Sequence, residues 1–510
     1  MKLALSNSRN KLSPRIRVQY RYLQNDSKVI KLLYPATLDN GILKLRSQQE
    51  RESIVAFDQA AQQGRFLKFV PASGAATRMF QDILDFIQSR IHNEKIDQFR
   101  MRRMRQLIKW MPKLAFYDLL KREMDYYPIE VNRGVENHND ISQFTFLMFT
   151  PGLNYAKKSK GLILFHKYGE ESHTAFEEQV LEGLKYIQDG QKKSKFHFTI
   201  APDEYDEYQA MSKLIKQKWF LKNQCRIDIS FSVQDVASNT IAIDLQKNII
   251  KDQKGHIVMR PGGHGSLLSN LNKLKADIVF IRNIDNIASE SAWKKTVYWK
   301  KVLGGYLVGI QKQVHVLLKE LHKRPAKSSV IHVCERFILK ELKGSFITSY
   351  HLKTNSEKIS ILKQFLNRPI RVCGMVKNKK EPGGGPFWIY DEKYGKSLQI
   401  VESAEVDFSQ KKQRAIFQSA THFNPVDIVC GLKKWDGNSF DLRQYMNPKA
   451  VIITQKNVNG IPAKVLEHPG LWNGSMADWI TVFIEVPLET FTPVKTIFDL
   501  MRKSHLQSHF

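Results

Sequence analysis

Apolar positions along the chain fall into two rhythms. Phe66 to Val70 is a short apolar run. Beyond a turn of small residues, Phe80, Ile83, Leu84, Ile87 and Ile91 recur at i, i+3, i+4, i+7 and i+11, the face of a helix. The alternation then repeats. Leu162 to Phe165 is apolar, and Phe176, Val180, Leu184 and Ile187 mark a second helix. Phe196 to Ala201 and Ile227 to Val233 read as strands flanking a helix that Asp203 is placed to cap. Ser266 to Leu274 reads as helix. Asp277 to Ile281 is a nearly continuous apolar run, as expected of a strand buried on both faces. Strands alternating with helices predict an α/β fold with a mainly parallel sheet covered on both sides.

Residues 1–60 are polar and mixed, broken at Pro35 and Gly41, and are expected to form an N-terminal arm or cap. The predicted core covers 61–360, with helical insertions near 80–150 and 289–330. The first is basic, with Arg100, Arg102, Arg103, Arg105 and Lys109 beside Met101, Met104 and Trp110. From 361 to 510 short β-rich runs (Ile370 to Val376, Phe387 to Tyr390, Leu398 to Val401) predict a C-terminal α+β lobe, closing on a helix near Lys495 to Lys503. No internal repeat of fixed period is present.

Composition narrows the class. The chain has 510 residues, 42% of them hydrophobic, with 8 Trp and 29 Phe, which is globular rather than disordered. Its 79 basic and 50 acidic side chains leave a net charge of +29. Such a surplus suits anionic ligands, or a lysine-rich surface with no single partner. The basic insertion reads as a nucleic-acid stripe or as the solvated face of an inserted hairpin, and no recognisable nucleic-acid module accompanies it. Cys225, Cys334, Cys373 and Cys430 form no C-x-x-C pair, so neither a disulfide framework nor a zinc signature is expected. A reducing cytoplasm is the expected setting. No stretch approaches the roughly 20 apolar residues that span a bilayer, so no membrane partner is expected. The opening Met1 to Ser6 is too short an apolar run for a signal peptide.

Two segments carry candidate chemistry. Ala72-Ser73-Gly74-Ala75-Ala76-Thr77 links a strand to a helix, and Arg78 follows. Small residues there let a phosphate chain approach the backbone, helix-terminal amides favour negative charge, and Arg78 adds a fixed cation. An ordinary tight connection would look the same. Farther on, Pro261-Gly262-Gly263-His264-Gly265 opens a helix, and a buried strand then leads to Asp285-Asn286. An Asp just past such a strand is suited to hold magnesium over a triphosphate, or simply to make a turn. Lys160, at the start of the apolar run after it, can reach the same cleft or lie on the surface. His422, Asn424 and Asp427 suit either sugar hydroxyls or a buried polar turn. Gly395-Lys396-Ser397 is not a phosphate loop, because the earlier glycine required is Tyr390.

The order of these motifs resembles that of the UDP-sugar pyrophosphorylases, especially UDP-N-acetylglucosamine pyrophosphorylase. Ala72 to Met79 is similar to their Leu-Ala-Gly-Gly-x-Gly-Thr-Arg-Leu signature, with Thr77 and Arg78 identical. Ser159-Lys160-Gly161 is similar to their Pro-Lys-Gly, Phe231-Ser232-Val233-Gln234 to their Phe-x-Gln-Gln, and Pro261 to Gly265 to their uridine-binding turn. Asp285-Asn286, Val401-Glu402-Ser403-Ala404-Glu405 and Phe491-Thr492-Pro493-Val494-Lys495 resemble further elements. The whole chain from about 28 to 507 is closer still to an uncharacterised bacterial family, domain of unknown function family 4301. Phrases such as Thr421-His422-Phe423-Asn424-Pro425-Val426-Asp427 and Pro469-Gly470-Leu471-Trp472-Asn473-Gly474 carry that likeness.

The resemblance implies a Rossmann-like nucleotide-diphospho-sugar transferase core of GT-A type. It implies an enzyme joining a sugar-1-phosphate to a nucleoside triphosphate, UTP above others, with release of pyrophosphate. Arg78, Lys160 and Lys495 would then be catalytic and Asp285 the magnesium ligand. The residues from Ala72 to Thr77, Gln234 and the Pro261 to Gly265 turn would bind nucleotide, and Asn286, Glu402, His422 and Asn424 the sugar. Ser73 and Ala76 stand where those enzymes have glycine, His264 and Thr496 where they have asparagine, and Ser159 where they have proline. A binder of the same fold that does not turn nucleotide-sugar over is the alternative, followed by a basic nucleic-acid-binding protein.

Overall fold

The computed structural model describes residues 12–25, 30–126, 147–149, 153–155, 157–323, 327–379 and 383–506. The chain forms two compact units. One comprises residues 1–60, 234–281 and 302–488; the other comprises 61–233, 282–301 and 489–510.

In the first unit, Ile370–Lys377 runs parallel to Ile480–Glu485, which in turn runs parallel to Gly41–Leu43, and Asp427–Gly431 pairs antiparallel on the other side. Seven consecutive residues from Ile370 to Val376 are buried, as expected of a strand covered on both faces. Arg371 lies inside this run at 0% exposure. Its guanidinium donates to Thr481 Oγ1, the Trp472 carbonyl and Gln399 Oε1, which offsets the cost of burying it. Two smaller antiparallel sheets complete the unit, one built on Gly385–Asp391 and Gly395–Val401, the other on Thr240–Asp244, Ile461–Glu467 and Ile452–Val458. The N-terminal residues are more than an arm. Pro14–Asn25 is a helix packed on the second of these sheets through Leu23, Ile241, Ile243 and Leu466. Ser47–Gln62 is a helix whose Ser53 carbonyl lies only 1.7 Å from where a Cβ on Gly305 would be, so this crossing requires glycine.

The second unit holds the candidate site. Phe66–Pro71, Lys193–Ile200 and Arg226–Val233 are successive parallel strands. The helix Tyr205–Asn223 connects the last two. Its flanking residue is Glu204, with no side-chain cap, and Asp203 sits in a preceding 3-10 turn. Asp203 is therefore not the cap its spacing suggested. The helix Ala175–Leu184 is capped by Thr174, whose side chain accepts from the Glu177 amide. Phe176 and Val180 bury the expected face, yet Glu178, Gln179 and Glu182 are equally buried at 0% exposure. The helix is thus enclosed all round. Within the basic insertion, Gln98–Trp110 is a helix that buries Met104, Leu107 and Ile108. Its Arg103 pairs with Asp82 at 2.9 Å and lies 4.0 Å from the Phe498 ring centroid. That arginine is engaged within the fold and not displayed in a stripe. The mainly parallel α/β architecture expected from the sequence is what the strands form. No helix among the described residues is long and apolar enough to cross a membrane.

Candidate functional site

Four distant segments of the second unit meet in two pairs, each joined through its backbone, and side chains link the pairs. Phe66–Pro71 ends in the 72–75 turn, followed by a 3-10 turn, Ala76–Phe80, and the helix Gln81–Ile91. Met79 and Phe80 are fully buried and anchor the turn, leaving Gly74, Ala75, Thr77 and Arg78 exposed. No residue from Ala72 to Arg78 has positive φ. Ser73 and Ala76 therefore impose no strain where glycine was expected. The Ala76 side chain is buried, on the side away from solvent. Not every turn amide faces outward: Ala76 N–H donates to the Lys158 carbonyl at 3.1 Å. Lys160 N–H donates to the Gly74 carbonyl at 3.1 Å, and Ala75 bridges Ser159.

The Ser159-Lys160-Gly161 segment is thereby laid against the turn. Lys160 opens a 3-10 turn (Lys160–Leu162) instead of a strand; the strand itself is Leu164–Tyr168. Glu204 Oε1 accepts the Ser159 amide at 2.5 Å, and Ser159 Oγ meets Tyr208 OH at 2.9 Å. A Cβ at Gly161 would lie 2.0 Å from Tyr208 OH. Gly161→Ala is therefore expected to lower stability by about 1–3 kcal/mol, as overpacking does. Thermal unfolding checks this, and a melting temperature equal to wild type would show that Tyr208 does not confine the segment.

The third segment is the turn after Ile278–Arg282. Gln179 Nε2 donates to the carbonyls of Asn283 and Ile284 at 3.0 and 3.2 Å, and so fixes this turn from the buried helix. Val494 N–H donates to the Asp285 carbonyl at 2.9 Å, Thr492 N–H donates to Asn286 Oδ1 at 3.0 Å, and Asn286 bridges Pro493. Lys495 is thereby brought beside Asp285. Thr496 and Asp499 form a capping box on the 3-10 turn Ile497–Met501, so the expected closing helix is this shorter element.

The side chains complete the convergence. Lys160 Nζ lies 2.8 Å from Asp285 Oδ2 and donates to the Val494 carbonyl at 2.9 Å. Lys495 Nζ reaches the same carboxylate at 2.9 and 3.2 Å. Asp285 and Lys160 side chains are 9% and 11% exposed, whereas Lys495 is 50% exposed. Burial alone would raise the Asp285 carboxyl, but Lys495 and Lys160 outweigh it and hold it below the usual range. Burial lowers the Lys160 ammonium, Asp285 opposes this, and the charges of Lys495 and Arg78 add to the lowering. Arg78 thus acts on the same spot. Two ammoniums and a guanidinium against one carboxylate leave an excess of positive charge, with Lys495 open to solvent. An excess of positive charge of this kind suits an anion.

Among the described residues no group of three or more His, Cys, Asp and Glu is arranged to hold a metal. Among those residues, a resident ion bound by protein alone does not fit. One carboxylate does fit magnesium that arrives on a polyphosphate, because that ion takes only one or two carboxylates and leaves its other positions to phosphate and water.

The other predicted residues lie in the first unit. A Cβ at Gly262, Gly263 or Gly265 would lie 2.4 Å from the His468 ring, 2.4 Å from Glu467 Oε2 or 2.1 Å from the Pro469 carbonyl oxygen. Internal packing thus accounts for these glycines. His264 Nδ1 accepts the Leu471 amide at 3.0 Å, which leaves the proton of the neutral ring on Nε2, 3.9 Å from Glu402 Oε1. The ring stacks on Trp472 at 4.3 Å. Burial lowers the His264 pKa against the opposing charges of Glu402 and Glu467. Gln234 Nε2 reaches Ser238 Oγ at 3.4 Å. His422 and Asn424 are buried at 3% and 4%. His422 Nε2 faces Glu485 at 3.4 Å, and Asn424 donates to the Gly374 carbonyl while accepting the Val426 amide.

Glu204, Tyr208, Gln179 and the Val494 carbonyl were not among the predicted site residues. For Gln179 and Tyr208 the one sequence signal is a polar side chain on the core side of a helix, which shows only once the core is known; Glu204 and the backbone carbonyl of Val494 carry none.

Fold and site together define a mixed α/β protein, built on mainly parallel strands, with a carboxylate bracketed by lysines. The chain belongs to the family described as Domain of unknown function (DUF4301), which matches residues 3–506. No curated protein matches it. Among solved structures it is similar to the UDP-N-acetylglucosamine pyrophosphorylase of Trypanosoma brucei, with 13% identity over 95% of this chain and 74% of that one, at a TM-score of 0.47. It is likewise similar to a UDP-glucose pyrophosphorylase mutant from Leishmania major, with 12% identity over 96% and 74% of the two chains and a TM-score of 0.42.

Proposed function

We propose that the protein is a nucleotidyltransferase of the nucleotide-diphospho-sugar transferase (GT-A) type, joining a sugar-1-phosphate to a nucleoside triphosphate, UTP above others. The observation that carries this reading is the meeting of Lys160, Asp285 and Lys495, 125 and 210 residues apart in sequence, on one carboxylate. An oxygen of the sugar phosphate attacks the α-phosphorus. The bond from that phosphorus to the bridging oxygen breaks, and pyrophosphate leaves with its electron pair. The attacking oxygen is already ionised, so no general base is needed. Arg78 and the exposed part of the 72–77 turn hold the outer phosphates; Lys160 and Lys495 hold the phosphates being joined. Catalysis of this kind is positioning plus electrostatics. Magnesium arriving with the triphosphate would be held by Asp285 and would supply further neutralisation of phosphate charge.

The four cysteines are all free and buried, which accords with a reducing cytoplasm as the setting. The test is to incubate the protein with magnesium, each nucleoside triphosphate and a panel of sugar-1-phosphates, and to measure pyrophosphate. Formation with one pairing is expected; none with any pairing overturns the reading. One observation favours a binder without turnover, namely that both oxygens of Asp285 are already engaged by lysine. Tight calorimetric binding of a nucleotide-sugar with no exchange of labelled pyrophosphate would select that alternative.

A further inference from the structure

Lys495 stands on a segment with little secondary structure of its own, yet the proposed chemistry needs its ammonium at a fixed distance from Asp285. The buried contacts beneath the pair show what sets that distance. Arg282, the last residue of Ile278–Arg282, is 1% exposed. Its Nε donates to the Asn286 carbonyl at 2.6 Å. Its Nη2 donates to Asn286 Oδ1 at 3.3 Å and to the Thr490 carbonyl at 3.0 Å. One planar guanidinium therefore grips both the Asp285-Asn286 turn and the start of the segment that carries Lys495. Asn286 passes the link on, since the same Oδ1 accepts the Thr492 amide at 3.0 Å. Asn286, Thr490 and Thr492 are themselves buried, at 1%, 1% and 8%. Lysine at 282 would bring a point charge on a flexible stem instead of a rigid fork, and could not satisfy these acceptors in one geometry.

We propose that Arg282 is a positioning residue that sets the spacing of Asp285 and Lys495 by clamping the 285–286 turn to the 490–494 segment. The inference rests on the nucleotidyltransferase reading for its catalytic consequence, but not for the clamp itself. Arg282, at 1% exposure, is shut off from anything that binds from solvent. Its contribution is alignment, and a misplacement of about 1 Å at such a site costs on the order of 10²-fold in rate.

The test uses Arg282→Met, of similar length and uncharged, and Arg282→Lys, with two readouts. The first is amide hydrogen exchange in 489–496. In Arg282→Met the Thr492 and Val494 amides are expected to exchange at least about tenfold faster, because their acceptors on Asn286 and Asp285 lose their anchor, while Lys193–Ile200 stays as protected as in wild type. The second is the steady-state rate of pyrophosphate formation. There kcat is expected to fall by about 10²-fold, with KM for the triphosphate changing by less than about threefold, because Arg78 and the 72–77 turn, which hold the outer phosphates, are not held by the clamp. Arg282→Lys should lie between wild type and Arg282→Met in both readouts. Unchanged protection at 492 and 494 overturns the clamp whatever the activity. A raised KM with unchanged kcat overturns alignment as its role. Absence of pyrophosphate formation by the wild-type protein overturns the functional reading alone, and the exchange result then decides the clamp by itself. Should Arg282→Met fail to fold, Arg282→Lys carries the same comparison, and wild-type exchange and kcat in it refute the proposal.

Discussion

Pyrophosphate formation by Lys160→Ala is expected to fall by about 10²–10³-fold, the loss typical of removing one preorganised charge from a transition-state site. The expectation follows from how little freedom Lys160 has. Its backbone is tied to Gly74, its neighbour Ser159 to Glu204 and Tyr208, and its ammonium to Asp285 and the Val494 carbonyl. The charge is in place before substrate arrives, so no reorganisation is spent during reaction. Folding should suffer far less. Lys495 remains on Asp285, and the loss of the Lys160 hydrogen bonds is expected to cost about 1–3 kcal/mol. Arg78→Ala should show a comparable kinetic loss with an unchanged melting temperature, because that side chain is exposed. Full activity in both variants would remove the site from consideration. The direction of the Lys160 shift adds a pH signature. Its ammonium is lowered in the folded protein, so it gives up its proton at lower pH than an ordinary lysine. The alkaline limb of the wild-type rate profile should therefore begin below the ordinary lysine range.

Glu182→Leu is expected to be the most destabilising single change, costing about 3–5 kcal/mol, as when one partner of a buried ion pair is removed. Lys68 and Glu182 meet at 2.5 Å with neither side chain exposed, and Lys68 also donates to the Gln179 carbonyl at 2.6 Å. Burial would raise the Glu182 carboxyl, but the charges of Lys68, Arg282 and Lys300 bring it down to about 2. Burial lowers the Lys68 ammonium to about 8, against the opposing pull of Glu182. Both values imply stability that rises with pH, in two separate windows. A carboxyl depressed on folding contributes stability above its unfolded pKa and loses it as pH falls toward the folded value. For Glu182 the window runs from 4.5 down to about 2. A displacement of that size corresponds to about 3 kcal/mol. A lysine depressed on folding costs stability below its folded pKa, and that cost is relieved as pH rises from about 8 to 10.5. Urea unfolding from pH 2 to 5 should therefore show a shallower slope in Glu182→Leu than in wild type, where Asp285 and Glu178 contribute as well. Lys68→Met with Glu182→Leu should recover only part of the loss, since the charges of Arg282 and Lys300 also bear on Glu182. An unchanged urea midpoint in the single variant would mean that the pair contributes nothing.

The strands were legible because burial on both faces leaves long apolar runs such as Asp277 to Ile281, and the one-sided helix 81–91 because its period is clear. The Ala175–Leu184 helix was legible only in part. Periodicity identifies Phe176 and Val180 as inward, but would send Glu178, Gln179 and Glu182 to solvent, whereas ion pairs and loop contacts hold them inside. Spacing fails for the same reason at Lys160, Asp285 and Lys495. Nothing local to any of them names the other two, and only the succession of short motifs along the chain suggested the grouping. At the 261–265 turn the glycines have a packing reason that the sequence does not reveal, since the 467–469 backbone and side chains lie against them.

The bend between Pro71 and Arg78 has a consequence for how such chains are found. With ordinary negative φ throughout and the Ala76 methyl tucked inward, it dispenses with the residue that sugar-nucleotide signatures insist on at two places. A pattern demanding glycine there passes over a chain folded this way, whose bend is shaped by what lies beneath it and not by a missing side chain.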